Sequence, residues 1–81
     1  MNFLISKWER SVGEIWREIL CAEIIPPSDV NFFDAGGTSI ALLRLRALLK
    51  QRLDVDIRGP DLFRYTTIAS LASFLAESTK S

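Results

Sequence analysis

In residues 4–20 the apolar side chains of Ile5, Trp8, Val12, Ile15, Trp16 and Ile19 recur three and four positions apart. At about 100° per residue they gather within an arc of roughly 100°, which is one face of an amphipathic helix. Glu9, Arg10, Glu14, Arg17 and Glu18 occupy the remaining circumference as a solvated face, with Arg17 placed for weak surface pairing with Glu14 or Glu18. A helix with so continuous an apolar stripe must be covered by other parts of the chain. The run Ile25-Pro26-Pro27-Ser28-Asp29 rules out helical continuation, because proline lacks the amide donor and biases its predecessor away from helical angles.

Beyond the prolines, a loop to about Thr38 carries Phe32 and Phe33, then the turn-forming Asp34-Ala35-Gly36-Gly37. Bulky aromatics in a loop pin it to a core, so this loop is expected to be ordered. A second helix is expected from Ser39 to about Leu53, with Thr38 or Ser39 supplying the oxygen that caps its first amides and Asp54 marking its end. Gly59-Pro60 opens a turn or a single helical turn through Leu62 and Phe63. Thr67 then caps a last helix whose stripe is Ile68, Leu71, Ala72 and Leu75. Strand-like alternation is present only weakly, over residues 53–57. The pattern predicts a small all-helical bundle.

The chain has 81 residues, which holds one compact core and no second domain. Apolar residues are 48% and charged residues 25%, the proportions of a globular domain, and a single cysteine, Cys21, removes any internal disulfide. Cys21 lies off the buried stripe with no basic neighbour to activate it, and is read as an incidental thiol. Ten Lys and Arg balance ten Asp and Glu, which removes whole-chain support for nucleic-acid or anionic-membrane binding. There is no histidine, so imidazole serves as neither base, acid nor metal ligand, and no metal site is expected. No apolar run approaches the ~18 residues of a membrane span and no signal-peptide hydrophobic region follows Met1, so a cytoplasmic location is expected.

The second helix carries more apolar residues than one buried face requires. Leu42, Leu45, Leu49 and Leu53 fall within about 80° of one another as a core stripe, while Ile40, Leu43 and Ala47 gather within about 60° on roughly the opposite side. Arg44, Arg46, Lys50 and Arg52 lie between the stripes, and no acidic residue occurs from Ser39 to Leu53. A second apolar stripe edged by cations suits a helix that packs inward on one side and docks a partner on the other. The alternative is that the loop of residues 26–37 covers Ile40 and Leu43. A third reading, nucleic-acid binding through the four cations, is opposed by the zero net charge and the apolar neighbours.

Gly36-Gly37-Thr38-Ser39 immediately precedes this helix. Two glycines remove side-chain bulk and permit left-handed angles, so backbone amides there can approach a ligand or another protein, and helix N-terminal amides favour a phosphate. A hydroxyl at that point suits a phosphate ester. The run is not a nucleotide-binding glycine loop, since no strand precedes it and no lysine follows the glycines.

The run Asn31-Phe32-Phe33-Asp34-Ala35-Gly36-Gly37-Thr38-Ser39-Ile40 resembles the attachment motif of phosphopantetheine-dependent carrier proteins, especially the peptidyl carrier (thiolation) domains of nonribosomal peptide synthetases. Ile15-Trp16-Arg17-Glu18-Ile19-Leu20 is similar to the end of that family's first helix. Asp61-Leu62-Phe63-Arg64-Tyr65-Thr66-Thr67-Ile68-Ala69-Ser70-Leu71-Ala72 is similar to its short third helix and the start of its fourth. The similarity spans about residues 5–76. It implies an acyl-carrier-protein-like four-helix bundle, three longer helices and one short, forming a single domain over residues 1–81 with a flexible tail at 77–81.

The resemblance further implies that Ser39 accepts 4′-phosphopantetheine from coenzyme A through a separate, magnesium-using phosphopantetheinyl transferase, with Asp34, Gly36, Gly37 and Thr38 completing the motif. The prosthetic thiol then holds an aminoacyl or acyl group as a thioester, and the carrier needs no catalytic residue. Implied partners are an adenylating or acyl-activating enzyme and condensation, tailoring or thioesterase enzymes. Phe33, Ile40, Leu43, Arg44 and Ala47 form the expected partner surface of a monomeric carrier. Fatty-acid-type carriers usually have Asp before the serine and an acidic second helix; Thr38 and the basic set here depart from both. Met1 and the short polar tail suggest a free-standing protein, though an excised domain with an added Met would look the same. The alternatives are an acyl carrier of a polyketide pathway and a helical interaction module with no prosthetic group. Hydrolysis at Ser39 has no base or acid constellation to support it.

Overall fold

The computed structural model describes residues 3–78, with side chains from Ser6 onward. Helix α1 spans Phe3–Leu20, α2 Ser39–Leu53, α3 Gly59–Arg64 and α4 Ile68–Ser78. α1 packs chiefly along α4 and also along α2, while α3 rests on α2. The radius of gyration is 11.4 Å.

The stripe on α1 buries Val12, Ile15, Trp16 and Ile19, with Trp8 half-buried beside them; Ile5 lies outside the described side chains. Leu42, Leu45 and Leu49 of α2 meet them, together with Ile68, Leu71, Ala72 and Leu75 of α4. Leu53 sits at the edge of this core, half-buried. Trp16 is fully buried with its ring edge-on to that of Phe32, centroids 5.0 Å apart. Its indole N–H finds no acceptor among the described residues, and packing area rather than a hydrogen bond holds it there.

The ends of the helices have local causes. α1 stops at Leu20 because Cys21 adopts a left-handed conformation, φ 54°, which lets the Ala22 N–H turn back to the Arg17 carbonyl at 3.0 Å. The chain has therefore left the helix before it reaches Pro26, and the prolines shape the loop rather than end α1. Asp54 closes α2 in the same manner, with φ 55° and its N–H directed at the carbonyls of Leu49 and Lys50. Thr67 begins α4: its hydroxyl oxygen accepts the Ser70 N–H at 3.0 Å, while the Ser70 hydroxyl accepts the Thr67 N–H at 3.2 Å. α3 is one short helix extending to Arg64, slightly longer than the turn expected. α4 runs through Ser78, into the segment expected to be a tail; residues 79–81 lie outside the described residues.

The alternation over residues 53–57 is not a strand. Ile57 is buried and Val55 half-buried while Asp54 and Asp56 are exposed, so an extended connector lays alternate side chains on the core without a partner strand. The described residues hold a single isolated bridge, Asn31 to Thr67, which ties the long loop to the start of α4. Among the described residues no helix is long and apolar enough to cross a membrane.

Candidate functional site

The loop between α1 and α2 is anchored at several points before it reaches the helix. The Ala69 N–H donates to the Ser28 carbonyl at 2.9 Å, and the Phe32 N–H to the Thr66 carbonyl at 2.7 Å. Asn31 uses both ends of its amide: Nδ2 donates to Thr66 Oγ1 at 2.8 Å, and Oδ1 accepts the Phe33 N–H at 2.9 Å. These bonds drive Phe32 inward, where it is completely buried, and leave Phe33 partly exposed at 37%. Only the first of the two adjacent aromatics thus pins the loop. Phe33 turns outward and stacks on Phe63 of α3, centroids 6.3 Å apart and planes within 18°.

The two glycines serve different needs. Gly36 has φ +106°, a conformation side-chain-bearing residues rarely adopt, and a β-carbon there would meet nothing within 4 Å. A β-carbon on Gly37 would lie 2.3 Å from Phe32 Cε2. The bulk missing at Gly37 therefore makes room for the protein's own buried ring, not for an approaching ligand. The Gly37 N–H also donates to the Phe32 carbonyl at 2.9 Å, closing the turn.

Thr38 and Ser39 were equivalent candidates for the helix cap, and the geometry separates them. Thr38 is extended, and its Oγ1 accepts the Ala41 N–H at 3.1 Å. Its hydroxyl is thereby engaged in starting α2. Ser39, the first helical residue, is exposed, and its hydroxyl makes no hydrogen bond among the described residues. The first turn of α2 holds no acidic residue, and first-turn amides have no preceding helical carbonyl to bond. A phosphate ester on Ser39 fits this end of the helix in charge and in access. Asp34 is exposed and forms no ion pair among the described residues.

The outward stripe of α2 is open to solvent. Ile40 is 74% and Leu43 58% exposed, so the loop does not cover them, and Ala47 is exposed beside them. Phe63, 55% exposed, extends the apolar surface from α3 through its stack on Phe33. Sequence reasoning missed Phe63. The available signal was the pair Leu62-Phe63 in a six-residue helix, where Leu62 is buried and its neighbour must project elsewhere.

Of the four cations on α2, three face carboxylates. Arg52 makes a two-pronged pair with Glu18 of α1, the Nη2 to Oε1 distance being 2.7 Å. Lys50 lies 3.4 Å from Asp54, and Arg46 3.9 Å from Asp56. Arg44 is exposed and has no ion pair among the described residues. The basic character read from the sequence is thus largely balanced from outside the helix. Among the described residues no group of three or more His, Cys, Asp or Glu side chains is placed to hold a metal.

A family model described as a phosphopantetheine attachment site matches residues 10–75. The chain belongs to this family of phosphopantetheine-dependent carriers. Carrier domains of the family are substrates of partner enzymes rather than catalysts. Surfactin synthase subunit 1 of Bacillus subtilis (strain 168) is 39% identical over 72 residues, covering 89% of this chain and 2% of that protein. The L-2-aminoadipate reductase large subunit of Eremothecium gossypii is 38% identical over 68 residues, 83% of this chain and 5% of that subunit. The carrier thus spans only a small fraction of these relatives.

Among solved structures, a free-standing peptidyl carrier protein from an uncharacterized Acinetobacter baumannii secondary metabolic pathway superposes with a TM-score of 0.84 at 22% identity, covering 95% of this chain and 98% of that one. BlmI, a type-II acyl carrier protein from Streptomyces verticillus involved in bleomycin biosynthesis, gives a TM-score of 0.83 at 20% identity, covering 91% and 88%. Both share the acyl-carrier-like four-helix fold expected from the sequence.

Proposed function

We propose that Ser39 is the residue that carries 4′-phosphopantetheine, and that the chain is a peptidyl or acyl carrier in nonribosomal peptide or hybrid peptide-polyketide biosynthesis. The observation that carries this reading is the division of labour between two adjacent hydroxyls. Thr38 caps α2, and Ser39 stands exposed with an unencumbered oxygen at the start of the same helix. In the loading reaction the Ser39 oxygen bonds to the phosphorus of the pantetheine phosphate in coenzyme A. Adenosine 3′,5′-bisphosphate leaves, and the hydroxyl proton goes to a base of the transferase. The phosphodiester formed is an anion, which the amides and dipole at the α2 N-terminus favour. The arm, when bound, supplies a thiol that holds an aminoacyl or acyl group as a thioester.

The rest of the reading follows from that position. Gly36, Gly37 and the buried Phe32 hold the loop so that Ser39 faces outward; Asp34 belongs to the same exposed turn. Phe33, Ile40, Leu43, Arg44 and Ala47, joined by Phe63, run from the loop along α2 as the surface for the transferase, the activating enzyme and the downstream condensation, tailoring or thioesterase enzymes. The relatives support a peptide-synthetase setting, because surfactin synthase and plipastatin synthase subunits each contain a segment similar to this carrier. A cytoplasmic location fits a protein whose donor, coenzyme A, is intracellular.

The deciding experiment is intact-protein mass spectrometry after incubation with coenzyme A, magnesium and a broad-specificity phosphopantetheinyl transferase. The expected result is the gain of one phosphopantetheine by the unmodified protein and none by a folded Ser39→Ala variant. Equal labelling of Ser39→Ala would remove Ser39 as the site. No gain by folded unmodified protein would favour an interaction module with no prosthetic group.

A further inference from the structure

The α2 surface has an uneven charge pattern that the apolar stripe alone does not explain. Four cations lie along the helix, but Glu18, Asp54 and Asp56 answer Arg52, Lys50 and Arg46 respectively. Each of these pairs is solvent-exposed and contributes little to stability, yet each cancels the field of its cation locally. Arg44 is left as the cation of α2 with no ion pair among the described residues. It follows Leu43 directly and lies one turn beyond Ile40, on the rim of the exposed apolar stripe. Asp34, in the loop before Ser39, is exposed and is also without an ion pair among the described residues.

Among the described residues the apolar patch is edged by Asp34 beside Phe33 and Arg64 beside Phe63, neither in an ion pair, as well as by Arg44. At its α2 edge, where Arg44 is the uncompensated charge, the patch has a defined electrostatic complement. Apolar area at the centre supplies the association, and a rim charge selects among partners by attraction or by like-charge repulsion. We infer that the partner protein docking on this face presents an apolar surface with a carboxylate at its rim opposite Arg44, making Arg44 a specificity-determining residue of the carrier. The inference rests on the carrier reading only in taking this face as the docking surface. Arg46, Lys50 and Arg52 do not share the role, because their charges are already answered within the chain.

The test uses three synthetic helical peptides with the same leucine-and-phenylalanine face and with Glu, Gln or Lys at the flanking positions. Each is titrated into the isotope-labelled carrier and followed by backbone amide shifts. The expected result is binding that perturbs Ile40, Leu43 and Ala47, with the Glu peptide tighter than the Lys peptide by about 3- to 10-fold, as for an exposed charge pair. The preference should disappear in Arg44→Gln, reverse in Arg44→Glu and shrink at roughly 0.5 M salt, where screening acts within a few ångströms. Arg46→Gln removes the same charge from an answered position and should keep the preference.

Equal affinity for the Glu and Lys peptides, a preference that survives Arg44→Gln, an equal loss in Arg46→Gln, or no perturbation of the α2 face would each overturn the inference. Loading of Ser39 is measured separately on the same samples. A carrier that loads normally but shows no charge preference defeats this inference alone, whereas failure to load defeats the reading beneath it.

Discussion

A single methyl group at Gly37 would strike the ring of Phe32, whose Cε2, Cδ2 and Cζ lie 2.3, 2.4 and 2.8 Å from the position of a β-carbon. That ring has no room to retreat, since it is fully buried with Trp16 against it. Gly37→Ala should therefore lower stability by about 1–3 kcal/mol, the usual cost of overpacking a filled core. In a Phe32→Leu background the same change should cost distinctly less, because the clash is with the ring. Urea denaturation of the two single variants and the double variant measures this coupling; strict additivity would mean that the glycine is needed for its backbone instead. Gly36 provides the contrast, as its φ of +106° and open surroundings make the backbone the reason for glycine there. A glycine pair before a helix marks an unusual turn in any sequence. That the second glycine accommodates the chain's own aromatic depended on which of Phe32 and Phe33 turned inward, and adjacent identical residues carry no pattern that says so.

At the scale of one helix, α2 was legible because its arithmetic is local. Leu42, Leu45 and Leu49 cluster on the wheel and are buried; Ile40, Leu43 and Ala47 cluster opposite and are exposed. The expected consequence is a sharp contrast between two nearby leucines. Leu43→Asp, at a position 58% exposed, should change stability by no more than about 0.5 kcal/mol, as surface substitutions do. Leu45→Asp, at a position 1% exposed, places an unpaired carboxylate in the core and should cost more than about 4 kcal/mol, enough to unfold a domain of this size. Thermal melts followed by circular dichroism compare them directly, and equal losses would mean that both faces of α2 are core. The helix ends were less legible. Cys21 closes α1 in a left-handed conformation that its residue type does not advertise, while the conspicuous Pro26-Pro27 pair lies farther along the loop. The surface of α3 was obscured for a related reason: six residues are too few for a periodic pattern to show which of Leu62 and Phe63 faces out.

Across the whole molecule, the contacts that fix the helices relative to one another join residues far apart in the chain, beyond the reach of periodicity. Asn31 meets Thr66, Ser28 meets Ala69, and Glu18 near the end of α1 grips Arg52 near the end of α2. The last contact gives a titratable readout of helix packing. The Arg52 guanidinium hydrogen-bonds the Glu18 carboxylate and holds its pKa below the ordinary value of 4.5, with a smaller attraction from Arg17. In the unfolded chain Glu18 takes up its proton near the ordinary value, while in the folded protein it stays ionised to lower pH. Over that interval the unfolded state binds more protons, so the contribution of Glu18 to stability increases with pH. It is fully present above the ordinary carboxylate range and is lost as pH falls through the lowered folded value. The pair is about two-fifths exposed on both sides, so solvent screening keeps the effect modest. Stability curves from urea unfolding between neutral pH and about pH 3 should show the unmodified protein above Glu18→Gln at neutrality, with the difference closing as Glu18 protonates. Arg52→Gln should flatten the profile in the same interval, since it removes the partner that lowers the carboxyl. A difference that does not change with pH would show that the ends of α1 and α2 are held together by apolar contact alone, with the ion pair as a passenger.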